Sequence, residues 1–354
     1  MTRPTAASIS LKALSKNLSR VREYAPGSGI LSVIKADAYG HGLVQAARAL
    51  SASEGFALLD LDDALGLRQA GFRQKIVLLE GCFSPDELDE ISANDIDLVI
   101  HCREQMDMLE SRRLPKKVGV FLKCNTGMNR LGFRPEVFGK MQDRLEAMDN
   151  AGEIVLMTHF CCADGEEGIR AQMDAFASVS DSRHSASLAN SAALIRYPET
   201  RTKWVRPGIM LYGASPFADE GAASLGLLPA MTLSSKIIAV QEVPGGEGIG
   251  YGPLFRADRK MRVGIVACGY ADGYPRHAPN GTPVLVGKRL TGTVGRVSMD
   301  MLHVDISDMP EAGIGTEVVL WGEGLPVEEV AKCCGTISYE LLCALAPRVP
   351  VTYT

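Results

Sequence analysis

Eight times in the first two-thirds of this chain, a short apolar run gives way to an amphipathic, charge-studded stretch. No other feature restricts the fold as much. The runs are "ILSVIK", "GFALLD", "KIVLLEG", "IDLVIHC", "VGVFLKC", "EIVLMTHF", "SASLAN" and "WVRPGIMLYG", and the intervening helical patterns include "HGLVQAARALSA", "LDDALGLRQAG", "SPDELDEISAN" and "PEVFGKMQDRLEAMD". Strands buried on both faces read as continuous apolar runs, which is the mark of a parallel sheet. Eight βα units over roughly 220 residues predict a closed (β/α)8 barrel, whereas an open doubly wound sheet more often has fewer strands.

From Pro229 onward the texture changes to β-like segments, "MTLSSKIIAVQEV", "KMRVGIVACGY", "TPVLVG", "RLTGTVGRVSMDMLHVDIS" and "TEVVLWG", divided by Gly, Pro and Asn turns. Helical pattern returns only in "PVEEVAKCCG" and "SYELLCALA". The chain therefore reads as α/β overall, with a barrel domain over 1–228 and a mostly-β domain over 229–354.

Bulk properties remove several classes of function. A formal net charge of −5 lacks the basic face that nucleic acid or an anionic membrane surface requires. No apolar run approaches the ~18 residues of a membrane span, and "MTRPTAASISLKAL" lacks the layout of a secretory signal. Nine cysteines, with no Cys-x-x-Cys pair, read as reduced thiols of a cytoplasmic protein rather than as a disulfide framework or a metal site.

Barrels carry their chemistry at the C-terminal ends of the strands. Those ends offer Lys35, Lys123, His159, Asn190-Ser191, and Arg206 with Gly208-Ile209. A lysine closing the buried run "SVIK" is costly to desolvate as an ammonium ion, and as a neutral amine it can attack a carbonyl to form a Schiff base. The other reading of Lys35 is a snorkelling side chain with its head in water. Ser191 and the backbone amides at Pro207-Gly208-Ile209 suit a phosphate. A lysine and a phosphate cradle on one rim point to pyridoxal 5'-phosphate.

Motif by motif and in order, "VIKADAYGHG", "KCNTGMNRLGF", His159-Phe160, "NSAA", "RPGIMLYG", "GYG", "GYADGYPR", "GRVSMDM" and "ISYELLCAL" resemble the alanine racemases, over essentially the whole chain. The overall length and "NTGMNRLGF" look most like the catabolic type of Gram-negative bacteria. The resemblance implies the pyridoxal-phosphate fold of type III, interconversion of L- and D-alanine for peptidoglycan or alanine catabolism, and a homodimer with shared active sites. It implies that Lys35 holds the cofactor covalently. It assigns Tyr39, Ser191, Gly208, Ile209 and Tyr339 to the phosphate, Arg206 to the pyridine nitrogen, and Arg130 to the cofactor phenolate oxygen and the substrate carboxylate. Lys123 matches the lysine that is carbamylated in many relatives. Tyr251 would be the second base, supplied by the partner subunit and hydrogen-bonded to His159. Met299 would contact the substrate carboxylate through its backbone, and Tyr270 and Tyr339 would narrow the entrance. Asn125 and Asp37 depart from the aspartate and asparagine common at those positions.

The residue types are mutually consistent. Racemisation removes a proton from one face of a planar carbanion and returns it on the other, so two bases must flank the carbon. A tyrosine serves only if its pKa falls well below ~10, as cationic neighbours would cause. An arginine beside the pyridine nitrogen is a poor proton donor, which weakens the ring as an electron sink.

Other signals have plainer readings. "GEGIGYG" lies between β segments rather than at a strand-to-helix turn, so it is no dinucleotide loop. "DLDDAL" reads as an acidic helix start, and Asp164, Glu166 and Glu167 as a solvated loop. His41 sits in the turn opening a helix, and Arg296 reads as structural. Without the resemblance, Lys123 would be a surface lysine capping its strand, and Tyr270, Tyr274 and Tyr339 half-buried aromatics. Two alternatives share parts of the architecture. A basic-amino-acid decarboxylase would want glutamate where Arg206 stands. A cofactor-carrying homeostasis protein would need the barrel alone.

Overall fold

A computed structural model describes residues 3–181, 183–252 and 254–354. These fall into two compact units, one formed by Leu18–Ala38 and Gly42–Leu211, the other by the segment up to Asn17, Tyr39–His41 and Tyr212–Thr354.

The first unit is built on a closed barrel of eight parallel strands, Gly29–Val33, Gly55–Leu58, Lys75–Leu78, Ile96–Ile100, Val118–Lys123, Ala151–Met157, Ser185–Ser187 and Trp204–Val205. Pairing of Gly29 with Trp204 closes the ring. All eight expected runs are strands. Their inward and outward side chains are both covered, which is why the runs are apolar throughout rather than alternating. Helices at Leu43–Ala49, Leu61–Gln69, Glu87–Ala93 and Pro135–Glu146 fall where the amphipathic pattern puts them. Asp62 and Asp63 occupy the first turn of Leu61–Gln69, where acids favour the helix N-terminus.

The second unit holds an eight-stranded sheet whose spine is the long strand Met231–Val243. It pairs antiparallel with Glu317–Trp321, with Met261–Val266 and with Ala6–Ile9. The strand Ala6–Ile9 lies within the 1–228 segment of the sequence, yet its backbone pairs Ala6 with Ser234 and Ile9 with Met231, and it runs parallel to Val351–Tyr353. Both ends of the chain are therefore stitched into this sheet. Trp321, Tyr274 and Tyr212 anchor its core. Tyr274 is fully buried, with its ring centroid 6.0 Å from that of Trp321. Among the described residues, no helix is long and apolar enough to cross a membrane.

Candidate active site

Lys35 leaves the barrel one residue, Ile34, after the end of the strand Gly29–Val33, and the chain then does something the sequence does not announce. Ala36, Asp37, Ala38 and Tyr39 have φ of 54°, 51°, 52° and 54°, so the single turn Lys35–Gly40 winds left-handed. Left-handed helix costs an L-residue roughly 1–2 kcal/mol. Here the amide of Ala38 donates to the carbonyl of Ile34 (3.0 Å), that of Gly42 to Asp37 (3.0 Å), and the Asp37 carboxylate accepts from Leu43 N–H (2.7 Å). The common asparagine's place is thus filled by a carboxylate that caps the next helix.

Around the same rim the barrel gathers cations. Lys123, the last residue of its strand, is 6% exposed, so it is no surface cap. Burial lowers its amine to about 8, and the nearby Arg206, Arg130 and Lys35 push the same way. His159 is held well below its ordinary value by burial and by Arg206, Lys123, Arg130 and Lys35, so it is neutral at pH 7. Lys123, Arg130 and His159 line one small pocket together with Thr126 and Thr158. Asn125 shapes the loop bearing Arg130. Its side-chain oxygen accepts from Gly127 N–H (3.2 Å) and Asn129 N–H (2.9 Å). An aspartate could accept the same bonds, but the amide does so without adding negative charge beside Lys123.

Arg206 is buried on neutral partners. Its guanidinium donates to Ser187 Oγ (2.6 Å), to the Thr158 carbonyl (2.7 Å) and to the Leu188 carbonyl (3.3 Å). Burial lowers it to about 10, which still leaves it about 10³-fold in favour of the cation at pH 7. Next to it the amide of Gly208 donates to Ser191 Oγ (2.9 Å), so the two predicted phosphate ligands are already neighbours. Asn190 caps the helix Ser191–Arg196 by accepting from Ala193 N–H (3.0 Å). Ile209 is fully buried.

The β-rich unit presents the remaining predicted residues. Tyr251 stands between Gly250 (φ 74°) and Gly252 (φ 60°), left-handed conformations that suit glycine, beyond the short strand Gly248–Ile249 that pairs with Phe255–Arg256. It is 70% exposed. Tyr270 and Met299 sit on two loops stitched together by Tyr270 N–H to the Ser298 carbonyl (3.1 Å) and Ala271 N–H to the Met299 carbonyl (3.0 Å). The loops approach so closely that a Cβ on Gly269 would lie 2.3 Å from the Ser298 carbonyl oxygen. A charged clamp holds them. Buried Asp272 is bonded by Arg3 (3.1 Å) and Arg348 (2.7 Å), and both arginines also reach Asp300, at 3.1 Å and 2.7 Å. Tyr39 stacks on Tyr212 (4.5 Å between centroids) and lies 6.0 Å from Tyr339, and burial pushes its hydroxyl far above the ordinary tyrosine value. His41 is buried, and its Nδ1–H donates to the Tyr39 carbonyl (2.9 Å).

Two family profiles account for nearly the whole chain. "Alanine racemase, N-terminal domain" matches residues 9–216, and "Alanine racemase, C-terminal domain" matches 230–353. The alanine racemase of Nitrosospira multiformis is 56% identical over 99% of each chain, and that of Nitrosomonas europaea is 55% identical over 99% of this chain and 98% of the relative. Among solved structures, the biosynthetic alanine racemase from Pseudomonas aeruginosa superposes with a TM-score of 0.96 at 44% identity, covering 100% of both chains. The chain belongs to the alanine racemase family.

It is an alanine racemase, an isomerase that interconverts L- and D-alanine with pyridoxal 5'-phosphate. The barrel rim fits that cofactor's charges. Cations crowd it, the fully buried Arg206 donates to neutral oxygens, and Ser191 with Gly208 offers a hydroxyl beside a backbone amide. Such an arrangement calls for an anion carrying a phosphate and a phenolate oxygen. Sequence reasoning missed the left-handed turn after Lys35 and the Arg3–Asp272–Asp300–Arg348 clamp. Asp272 and Arg348 did stand inside or near two quoted motifs, "GYADGYPR" and "ISYELLCAL", but their partners are far away in the sequence.

Proposed function

We propose that this alanine racemase works with two bases, Lys35 on one face of the substrate α-carbon and Tyr251 on the other, with Tyr251 contributed by the second subunit of a homodimer. The observation that carries the reading is the electrostatics of the barrel rim, where burial first, and then the shared cations Arg206, Arg130 and Lys35, depress both Lys123 and His159. When bound, pyridoxal 5'-phosphate supplies the electron sink that makes the α-hydrogen acidic. Ser191, Gly208, Ile209, Tyr39 and Tyr339 would hold its phosphate. Arg206 would face its ring nitrogen as a hydrogen-bond donor that keeps its own proton. Arg130 would contact the phenolate oxygen and orient the substrate carboxylate, assisted by the backbone of Met299.

His159, neutral and surrounded by cations, is suited to accept or donate a hydrogen bond to the Tyr251 hydroxyl. Lys123 has an amine lowered to about 8, so an appreciable fraction is neutral near that pH and can add carbon dioxide, releasing one proton and becoming an anionic carbamate that would orient Arg130. Tyr270 and Tyr339 would narrow the entrance and favour alanine over longer amino acids.

The homodimer is supported by the surface of the β-rich unit. Tyr251, Leu254, Met299 and Met301 are 70%, 63%, 52% and 41% exposed, large side chains that a partner subunit would cover. Nine free thiols agree with a reducing, cytoplasmic setting.

Subunit mixing tests the composite site. Lys35→Ala and Tyr251→Ala homodimers should each be nearly inactive. In a mixed dimer, one site loses both bases and the other regains both. With unbiased exchange about half the dimers are mixed, so activity should recover to roughly a quarter of wild type. No recovery, after exchange is verified by mass, would mean that Tyr251 serves its own chain or no site.

A further inference from the structure

Two residues beyond His159 the barrel unit carries adjacent cysteines whose thiols face each other. The Sγ atoms of Cys161 and Cys162 are 3.4 Å apart, Cys161 is exposed, and Cys162 is half-buried. The chain's other adjacent pair is different. Cys333 ends the helix Val327–Cys333 exposed, while Cys334 is buried behind it. Neighbours on a helix are turned about 100° apart, so their side chains diverge. The bend at Cys161-Cys162 removes that divergence.

We infer that Cys161 and Cys162 form a chelating dithiol site for monosubstituted trivalent arsenicals, coupled to His159 through Gln172. Covalent geometry selects this chemistry over a disulfide. Adjacent Cα atoms are about 3.8 Å apart across a trans peptide, short of the roughly 4.4–6.8 Å that a disulfide prefers. Hydrogen bonds to Cys161 and to Glu167 (3.3 Å) push the Cys162 thiol up to about 12, so it is protonated at neutral pH and a weak nucleophile for exchange. An arsenic(III) oxide instead consumes two S–H groups. Two As–S bonds form, the As=O bond breaks, its oxygen leaves as water with both thiol hydrogens, and arsenic remains trivalent. A metal ion needing more ligands is disfavoured, because no group of three metal-ligating side chains exists among the described residues.

The link inward is a short chain of hydrogen bonds. Gln172, 6% exposed, accepts from Cys161 N–H (2.9 Å) and from its thiol (3.2 Å). The Gln172 amide donates to the His159 carbonyl (3.0 Å) and to Thr126 Oγ1 (3.1 Å). Thr126 in turn meets Thr158 Oγ1 at 2.7 Å, and the Thr158 carbonyl accepts from Arg206. Closing a ring through arsenic takes the Cys161 thiol from Gln172 and so disturbs the residue that fixes the backbone of His159.

Phenylarsine oxide added to the holoenzyme tests this. One equivalent should protect Cys161 and Cys162 together from alkylation on peptide mapping, and a dithiol should reverse it where an equal concentration of monothiol groups does not. Cys161→Ser and Cys162→Ser should each weaken binding at least about 100-fold by removing the chelate, while Cys333→Ser leaves it unchanged. Alanine variants repeat the test if a serine variant fails to fold. Protection at Cys333 or elsewhere, or single variants binding within threefold of wild type, overturns the site. Full labelling of the pair without loss of racemase activity overturns the coupling to His159.

Discussion

The two ends of the barrel treat buried charge in opposite ways. At the N-terminal end, where the strands begin, Lys75 is bonded to Asp97 and lies 3.4 Å from Glu153. Burial lowers the lysine, yet Asp97 and Glu153 outweigh it and hold the ammonium above its ordinary value. At the C-terminal end Lys123 is more deeply buried, its neighbours are mostly cations, and its amine falls to about 8. One end of the same sheet compensates its charge within the chain. The other leaves it uncompensated, and an uncompensated buried cation makes sense where an anion is to be bound. Barrels generally keep stability at the bottom and chemistry at the top, and here a single residue type marks the division.

The contrast predicts that one substitution has opposite signs at the two ends. Lys75→Met removes the partner of Asp97, whose side chain is only 14% exposed, and leaves a buried carboxylate unpaired. Loss of about 3–5 kcal/mol is expected, read as a lower urea midpoint of the cofactor-free protein at pH 7. A neutral or stabilising result would show that the lower ion pair is ornamental and would erase the comparison.

Lys123→Met should instead stabilise the cofactor-free protein, by up to about 3 kcal/mol if the fall from 10.5 to about 8 is fully expressed. The sign follows from proton counting. Between pH 8 and 10.5 the unfolded chain holds the lysine proton and the folded one does not, so wild-type stability rises with pH across that window. The advantage of Lys123→Met is therefore largest below pH 8 and gone above 10.5. Bicarbonate near pH 8 should narrow the gap by stabilising wild type alone, if Lys123 accepts carbon dioxide. An advantage independent of pH would assign the effect to packing rather than charge.

What the sequence disclosed, and what it hid, follows from how locally each feature is encoded. Apolar runs ending in a polar residue are local, so every barrel strand and the rim residues Lys35, Lys123, His159, Ser191 and Arg206 could be read in advance. The juxtaposition of Gly208 with Ser191 followed, because consecutive barrel strands are neighbours. The clamp was hidden because Arg3 and Asp300 are 297 residues apart and nothing near either marks the other. Ala6–Ile9 was hidden for the same reason, a four-residue strand whose partner begins at Met231. The left-handed turn was hidden differently. Ala36, Asp37, Ala38 and Tyr39 include no glycine, and Ala and Tyr ordinarily avoid positive φ, so local preference pointed the wrong way and tertiary structure overrode it.

That override gives the smallest and sharpest test. Ala36 is exposed, so Ala36→Gly loses no packing and relieves roughly 1–2 kcal/mol of left-handed strain. The added freedom of glycine in the unfolded chain returns about 0.4–1 kcal/mol of that. A net gain of about 0.5–1 kcal/mol is expected. Ala38, with φ 52° but no exposure, is the control, because its methyl group is packed and Ala38→Gly should gain nothing. If the strain holds Lys35 and Tyr39 in register, Ala36→Gly should lower kcat while it raises the unfolding midpoint. A stabilised variant with unchanged kcat would make the turn a by-product of chain routing, and the rim's charge would then account for the site without help from backbone strain.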